Sequence, residues 1–140
     1  MIPAVMDEGN KHTLVVLIAV LSALAIFYLI LQRPHLEYND VTVEQAKQLI
    51  VQKPRMIILD VRTESEYAQQ HIEGAINMPL SEIDSRLSEM DPEDEFLVYC
   101  TSGSRSSMVI ATMLENEYTK IYHMPSGIIA WQKAGYPVIP

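Results

Sequence analysis

The chain has 140 residues, a formal net charge of −8, 49% hydrophobic residues and a single cysteine. From residue 33 onward nine Lys/Arg stand against sixteen Asp/Glu, a balance that argues against nucleic acid as a partner and against an electrostatic hold on anionic lipid. One cysteine leaves no second thiol for an internal disulfide, and no Cys/His cluster has the spacing of metal ligands, so no metal is expected.

In chain order, a short tail (residues 1–13) leads into Leu14–Leu31, where only Ser22 and Tyr28 carry polar side-chain atoms. At 1.5 Å per residue this run spans roughly 27 Å, near the hydrocarbon thickness of a bilayer, and Tyr28 suits an interface. The preceding segment is not basic and no small-x-small site follows, which argues against a cleaved signal, and the run lacks the polar face of a core helix. An uncleaved single-pass transmembrane helix is expected over 14–32, followed by a junction over 33–40 that contains Pro34. Lys11 on one side against Arg33 and Lys47 on the other favours a cytoplasmic C-terminal domain. Residues 41–140 have the size of one domain. There, Thr42 opens a helix to about Gln52, with Gln45 as capping-box partner and Pro54 beyond its end. Met56–Val61 reads as a strand, Glu64–Gln70 and Ser81–Glu89 as helices, and Phe96–Tyr99 as a buried strand. A helix from Ser106, a strand Lys120–His123 and a helix Ile128–Ala134 complete the chain. Such alternation implies a mainly parallel sheet with helices on both faces and active residues at the carboxyl ends of strands. The acidic run Asp91-Pro92-Glu93-Asp94-Glu95 reads as a solvated loop.

The chemistry concentrates at Cys100-Thr101-Ser102-Gly103-Ser104-Arg105-Ser106-Ser107. Cys100 ends a strand and faces a helix N-terminus, where backbone N–H groups without intrahelical partners converge and favour an anion. A core cysteine gains nothing from the small hydroxyl residues and glycine that follow, whereas a ligand-cradling loop does. Arg105 adds a fixed charge with a fork of donors suited to oxyanions. Cys100 is therefore the candidate nucleophile and Thr101, Ser102, Gly103, Ser104 and Arg105 the candidate substrate loop. Asp60 and Arg62 are expected as a supporting pair. Trp131 reads as a core anchor, and His12, His35 and His123 have no metal-ligand spacing.

The spacing C-x-x-G-x-R-S resembles the active loop of the rhodanese family of sulfurtransferases. Ile57-Ile58-Leu59-Asp60-Val61-Arg62 is similar to the family's Asp-Val-Arg strand, and His71-Ile72-Glu73-Gly74-Ala75-Ile76-Asn77-Met78-Pro79 to its His-Ile-x-Gly-Ala-x-Asn-x-Pro segment. Gly127-Ile128-Ile129-Ala130-Trp131 and Gly135-Tyr136-Pro137-Val138 resemble its C-terminal motifs. Ser126 stands where many members carry a first glycine, and the loop lacks a second cation beside Arg105. Behind the expected transmembrane helix, the resemblance implies a rhodanese-like α/β domain with a structural role for His71. It implies transfer of a sulfane sulfur from a donor such as thiosulfate, through a covalent Cys100 persulfide and no other cofactor, to a thiol, cyanide or a protein acceptor. The C-x4-R loop is shorter than the C-x5-R of cysteine phosphatases and so implies a pocket fitted to sulfur on Cys100 rather than to phosphate. The other readings are a tethered binding or sulfide-sensing module without turnover, and a sulfur-delivery component whose donor is a partner protein.

Overall fold

The computed structural model describes residues 8–31 and 38–140, and the chain divides into two compact units, residues 1–35 and 36–140. Residues 1–7 of the expected tail, Gln32 of the expected span and residues 33–37 of the expected junction lie outside the described residues. In the first unit, α1 spans Glu8–Leu31. It begins ahead of the apolar run because Lys11, His12 and Thr13 are compatible with a helix, and the Thr13 hydroxyl donates back to the Gly9 carbonyl at 2.9 Å. Leu14, Leu17, Leu21 and Leu24 are exposed. Among the described residues, α1 is the one helix long and apolar enough to cross a membrane.

The second unit is a five-stranded sheet with helices on both faces. Its strands are β1 (Asn39–Asp40), β2 (Ile57–Asp60), β3 (Ala75–Asn77), β4 (Phe96–Tyr99) and β5 (Ile121–His123), in the order β1-β5-β4-β2-β3 with every pair parallel. The helices are α2 (Val43–Gln52), α3 (Glu64–Gln69), α4 (Ile83–Arg86), α5 (Ser104–Glu115) and α6 (Gly127–Lys133). Thr42 caps α2 with the capping box to Gln45 in place. The expected helix over 81–89 is α4 flanked by tight 3₁₀ turns, and α5 begins at Ser104, two residues nearer the cysteine than expected. Neither β1 nor β3 was expected. Strands of two or three residues are too short to show the alternation by which a strand is recognised.

Central strand β4 is buried along its whole length, and its alternation divides the core. Phe96 and Val98 join Ile83, Val109, Ile110 and Met113 under α4 and α5. Leu97 and Tyr99 join Val43, Ala46, Ile128 and Trp131 under α2 and α6. Parallel strands put all their carboxyl ends on one edge of the sheet, where Cys100 follows β4 and α6 follows β5.

Two features fix that edge. The first is a buried polar network between β2 and β4. Asp60, fully buried, accepts from Arg62 Nη2 at 2.6 Å and from the Tyr99 hydroxyl at 2.6 Å. Arg62 also donates to the Gln70 carbonyl, and Tyr99 accepts from the Ile72 N–H at 3.2 Å. Burial first, and then the Asp60 charge, push the Tyr99 phenol up, so it stays a donor. The second is the join between the cysteine loop and α6. The Ile128 N–H donates to the Cys100 carbonyl at 2.9 Å and the Ile129 N–H to the Thr101 carbonyl at 3.4 Å. Gly103 and Gly127 both have positive φ, 93° and 63°. A Cβ at Gly103 would overlap the Pro125 carbonyl, and one at Gly127 would overlap the Cys100 and Thr101 carbonyls, so these two turns require glycine on steric grounds as well as conformational ones.

Tyr99→Phe removes the donor to Asp60 and strands the Ile72 N–H. It is expected to cost about 1–3 kcal/mol in denaturant unfolding of the detergent-solubilised full chain, and unchanged stability would show that the network does not tie β4 to β2. Gly127→Ala is expected to lower both the melting temperature and the rate of Cys100 alkylation, because α6 must move off the loop carbonyls. An alkylation rate equal to wild type would separate the loop's conformation from α6.

Candidate active site

Cys100 lies at the carboxyl end of β4 and is 1% exposed. Its sulfur sits at the focus of the turn into α5. The Gly103 N–H donates to Sγ at 3.1 Å and the Ser106 hydroxyl lies 3.4 Å from it. The carbonyls of Cys100 and Thr101 point to α6, and the Ser102 N–H, in the same peptide as the Thr101 carbonyl, faces the sulfur together with the N–H groups of Gly103 and Ser106. Burial by itself pushes the Cys100 thiol up. The Ser106 hydroxyl and the N–H groups of Ser106, Ser102 and Gly103 outweigh it, so the thiol is held below its ordinary value. The arrangement favours a thiolate, the nucleophilic form of cysteine, and steadies a negative charge at the sulfur.

The other loop residues fall into place around it. Gly103 caps α5 in the left-handed conformation and Ser102 and Ser104 face solvent. Thr101 is half-buried, and its hydroxyl donates to Glu66 Oε1 at 3.0 Å. Arg105 does not present a free fork. Its Nη1 and Nη2 donate to the two oxygens of Glu66 at 2.6 and 2.8 Å, and Nη2 also donates to the Thr101 hydroxyl at 2.8 Å. Arg105 first, and then the hydrogen bonds of Thr63 and Thr101 against a burial cost, hold the Glu66 carboxyl well below the usual carboxylate range. Glu66 is also the capping-box partner of Thr63 at the start of α3. The sequence offers Thr63-x-x-Glu66 as a helix signature, yet nothing in it tells that the carboxylate reaches across to Arg105.

Asp60 and Arg62 form the buried pair described above, and their side-chain hydrogen bonds go to each other, Gln70 and Tyr99 rather than to the sulfur. Arg62, Glu66, Gln70, Thr101, Ile129 and Gln132 line a cleft of about 230 Å³ beside the loop. On the other side, His123 is buried at the end of β5, its Nε2 2.8 Å from Ser106 Oγ and its Nδ1 2.8 Å from Asp40 Oδ1. His71 stacks on Tyr67 with its Nδ1 2.9 Å from the Tyr67 carbonyl, and its backbone pairs with Ile139. Trp131 is buried and donates to the Pro137 carbonyl. Among the described residues no group of three His, Cys, Asp or Glu side chains is placed to hold a metal ion.

The chain is similar to known proteins. A sulfurtransferase of Allochromatium vinosum is 31% identical over 101 residues, covering 72% of this chain and 94% of that protein. The thiosulfate sulfurtransferase GlpE of Coxiella burnetii is 29% identical over 100 residues, covering 71% and 92%. The crystal structure of a rhodanese-related protein from Thermoplasma volcanium superposes with a TM-score of 0.65 at 26% identity, covering 73% of this chain and 98% of that one. The rhodanese-like domain family matches residues 42–134, the stretch that carries strands β2 to β5, the Cys100 loop and α6, and the chain belongs to that family.

Proposed function

We propose that the protein is a sulfurtransferase that carries a sulfane sulfur on Cys100. The observation that carries this reading is the thiol at the focus of the loop's N–H groups, held below its ordinary value. The Cys100 thiolate attacks the outer sulfur of a donor such as thiosulfate. A bond forms between Sγ and that sulfur, the donor's sulfur–sulfur bond breaks, and sulfite leaves with the bonding pair. The negative charge passes to the outer sulfur of the Cys100 persulfide, where loop N–H groups steady it. A nucleophile then attacks the outer sulfur and restores the thiolate. Cys100 is the chain's only cysteine, so the acceptor is external: cyanide, a small thiol or a protein thiol. The activity in the names of the Allochromatium and Coxiella relatives supports the reaction class, and the C-x4-R loop favours sulfur over phosphate.

Helix α1 supports a single-pass anchor that holds the domain at a membrane surface. A cytoplasmic domain agrees with the Lys/Arg count on either side of the helix and with the need to keep a catalytic thiol reduced. A second reading, a tethered binding or sensing module without turnover, draws on the 1% exposure of Cys100.

Intact mass of the full chain in detergent tests the first step. A gain of about 32 Da after thiosulfate, lost again on adding cyanide and absent in Cys100→Ser, is the expected result. A folded, alkylatable protein that never gains sulfur from thiosulfate or from a persulfidated protein overturns the transferase reading. The engagement of Arg105 by Glu66 generates a second expectation. Glu66→Gln keeps the capping box of α3 but frees the guanidinium, so the KM for thiosulfate is expected to fall about three- to tenfold with kcat less affected. An unchanged KM would show that Arg105 does not bind the donor.

A further inference from the structure

Among the described residues, His123 is the one buried histidine ring in hydrogen-bond contact with Ser106, which itself touches Cys100 Sγ. Its side chain is 3% exposed, whereas that of Asp40 is 62% exposed. An ionised carboxylate only accepts, so the Nδ1 that lies 2.8 Å from Asp40 Oδ1 carries a hydrogen. In the neutral ring Nε2 is then bare and accepts from the Ser106 hydroxyl 2.8 Å away. Ser106 has a single O–H. While that hydrogen serves His123, it cannot serve the sulfur 3.4 Å from the same oxygen, and the oxygen's lone pairs are available to the thiol instead.

We propose that Asp40, His123 and Ser106 form a proton relay to Cys100, in which His123 takes up the thiol's proton through Ser106 and so acts as a positioning residue for the nucleophile. The S–H bond breaks and its proton goes to the Ser106 oxygen, while the Ser106 O–H proton goes to Nε2. No electron changes hands, and a thiol with a neutral imidazole becomes a thiolate with an imidazolium. In the product state Nδ1–H donates to Asp40, Nε2–H donates to the Ser106 oxygen, and the Ser106 hydroxyl turns to the thiolate. The Gly103 carbonyl, 2.9 Å from Ser106 Oγ, is the competing acceptor, and a charged sulfur wins that competition because hydrogen bonds to ionised acceptors are the stronger ones. Every donor has an acceptor both before and after the transfer, and exposed Asp40 connects the chain to solvent. The Tyr38 ring meets His123 edge-on with centroids 5.7 Å apart, and Glu44 at the head of α2 lines the same surface groove as Asp40.

The inference rests on Cys100 being the nucleophile of the proposed reaction, but its test needs no sulfur donor. The thiolate's ultraviolet absorbance is followed against pH on the full chain in detergent, with Cys100→Ser as the baseline. As Cys100 is the only cysteine, the signal has a single source. Asp40→Asn keeps an acceptor for Nδ1 but removes the charge that holds the imidazolium. Its thiolate midpoint is expected to move up by about half a pH unit, roughly threefold less thiolate at a fixed pH below the midpoint. His123→Gln, which offers Ser106 a donor that cannot take up a proton, is expected to move it up by about one unit, or tenfold. The sign is diagnostic. By direct Coulomb interaction, removing a nearby negative charge eases thiolate formation and moves the midpoint down. An Asp40→Asn curve that superimposes on wild type or shifts down overturns the relay, and this exposed variant decides the question where the buried one does not fold. Loss of sulfur transfer with the upward shifts intact would instead count against the transferase reading alone.

Discussion

The structure turns on the orientation of two peptide groups, those that carry the Cys100 and Thr101 carbonyls. For N–H groups to gather at the sulfur, the carbonyls of the same peptides must point away from it, and buried carbonyls need donors. The start of α6 supplies them, through Ile128 and Ile129 N–H. The N-terminus of one helix therefore satisfies the loop's outward face, while that of α5 adds its dipole to the inward face. This requires the ends of β4 and β5 to lie side by side, which the parallel order β1-β5-β4-β2-β3 provides. It also requires α6 to approach the loop at backbone distance, which Gly127 permits and a Cβ would prevent. The fold class, the strand order and two glycines are thus parts of one requirement, that peptide polarity be fixed at one sulfur atom.

Much of this was readable from sequence wherever the signal is local. Phe96-Leu97-Val98-Tyr99 announces a strand buried on both faces, and Thr42 with Gln45 announces a helix start that the hydrogen bonds reproduce. The Cys100 loop is legible because small hydroxyl residues and glycine after a buried strand have little use other than cradling a ligand. The pairing of Asp60 with Arg62 needs only two residues of separation. What stayed hidden depends on distance along the chain. Arg105 is an oxyanion fork in sequence and a partner of Glu66 in space, across 39 residues. His123 has no metal-like spacing, and its contact with Asp40 spans 83 residues. Strand β1 exists only because β5 is there to pair with it. No periodicity within a window of a dozen residues carries any of these facts.

The guanidinium groups around the site are compensated. Two guanidinium groups stand in the neighbourhood of Cys100, and each is matched by a carboxylate: Arg62 by Asp60 inside the core, Arg105 by Glu66 at the mouth. A free cation acts on any anion in reach, in proportion to its charge. An ion pair acts as a dipole, and its pull weakens faster with distance than that of a lone charge. With both cations matched, the groups in direct contact with the sulfur are a ring of N–H groups and one hydroxyl, and such donors act only on an atom placed at their focus. A site built this way rewards position more than charge. It stabilises one negative sulfur fixed at the carboxyl end of β4. That distinction fits a short C-x4-R loop whose arginine is already occupied better than it fits the wide, cationic cradle that a phosphate dianion requires.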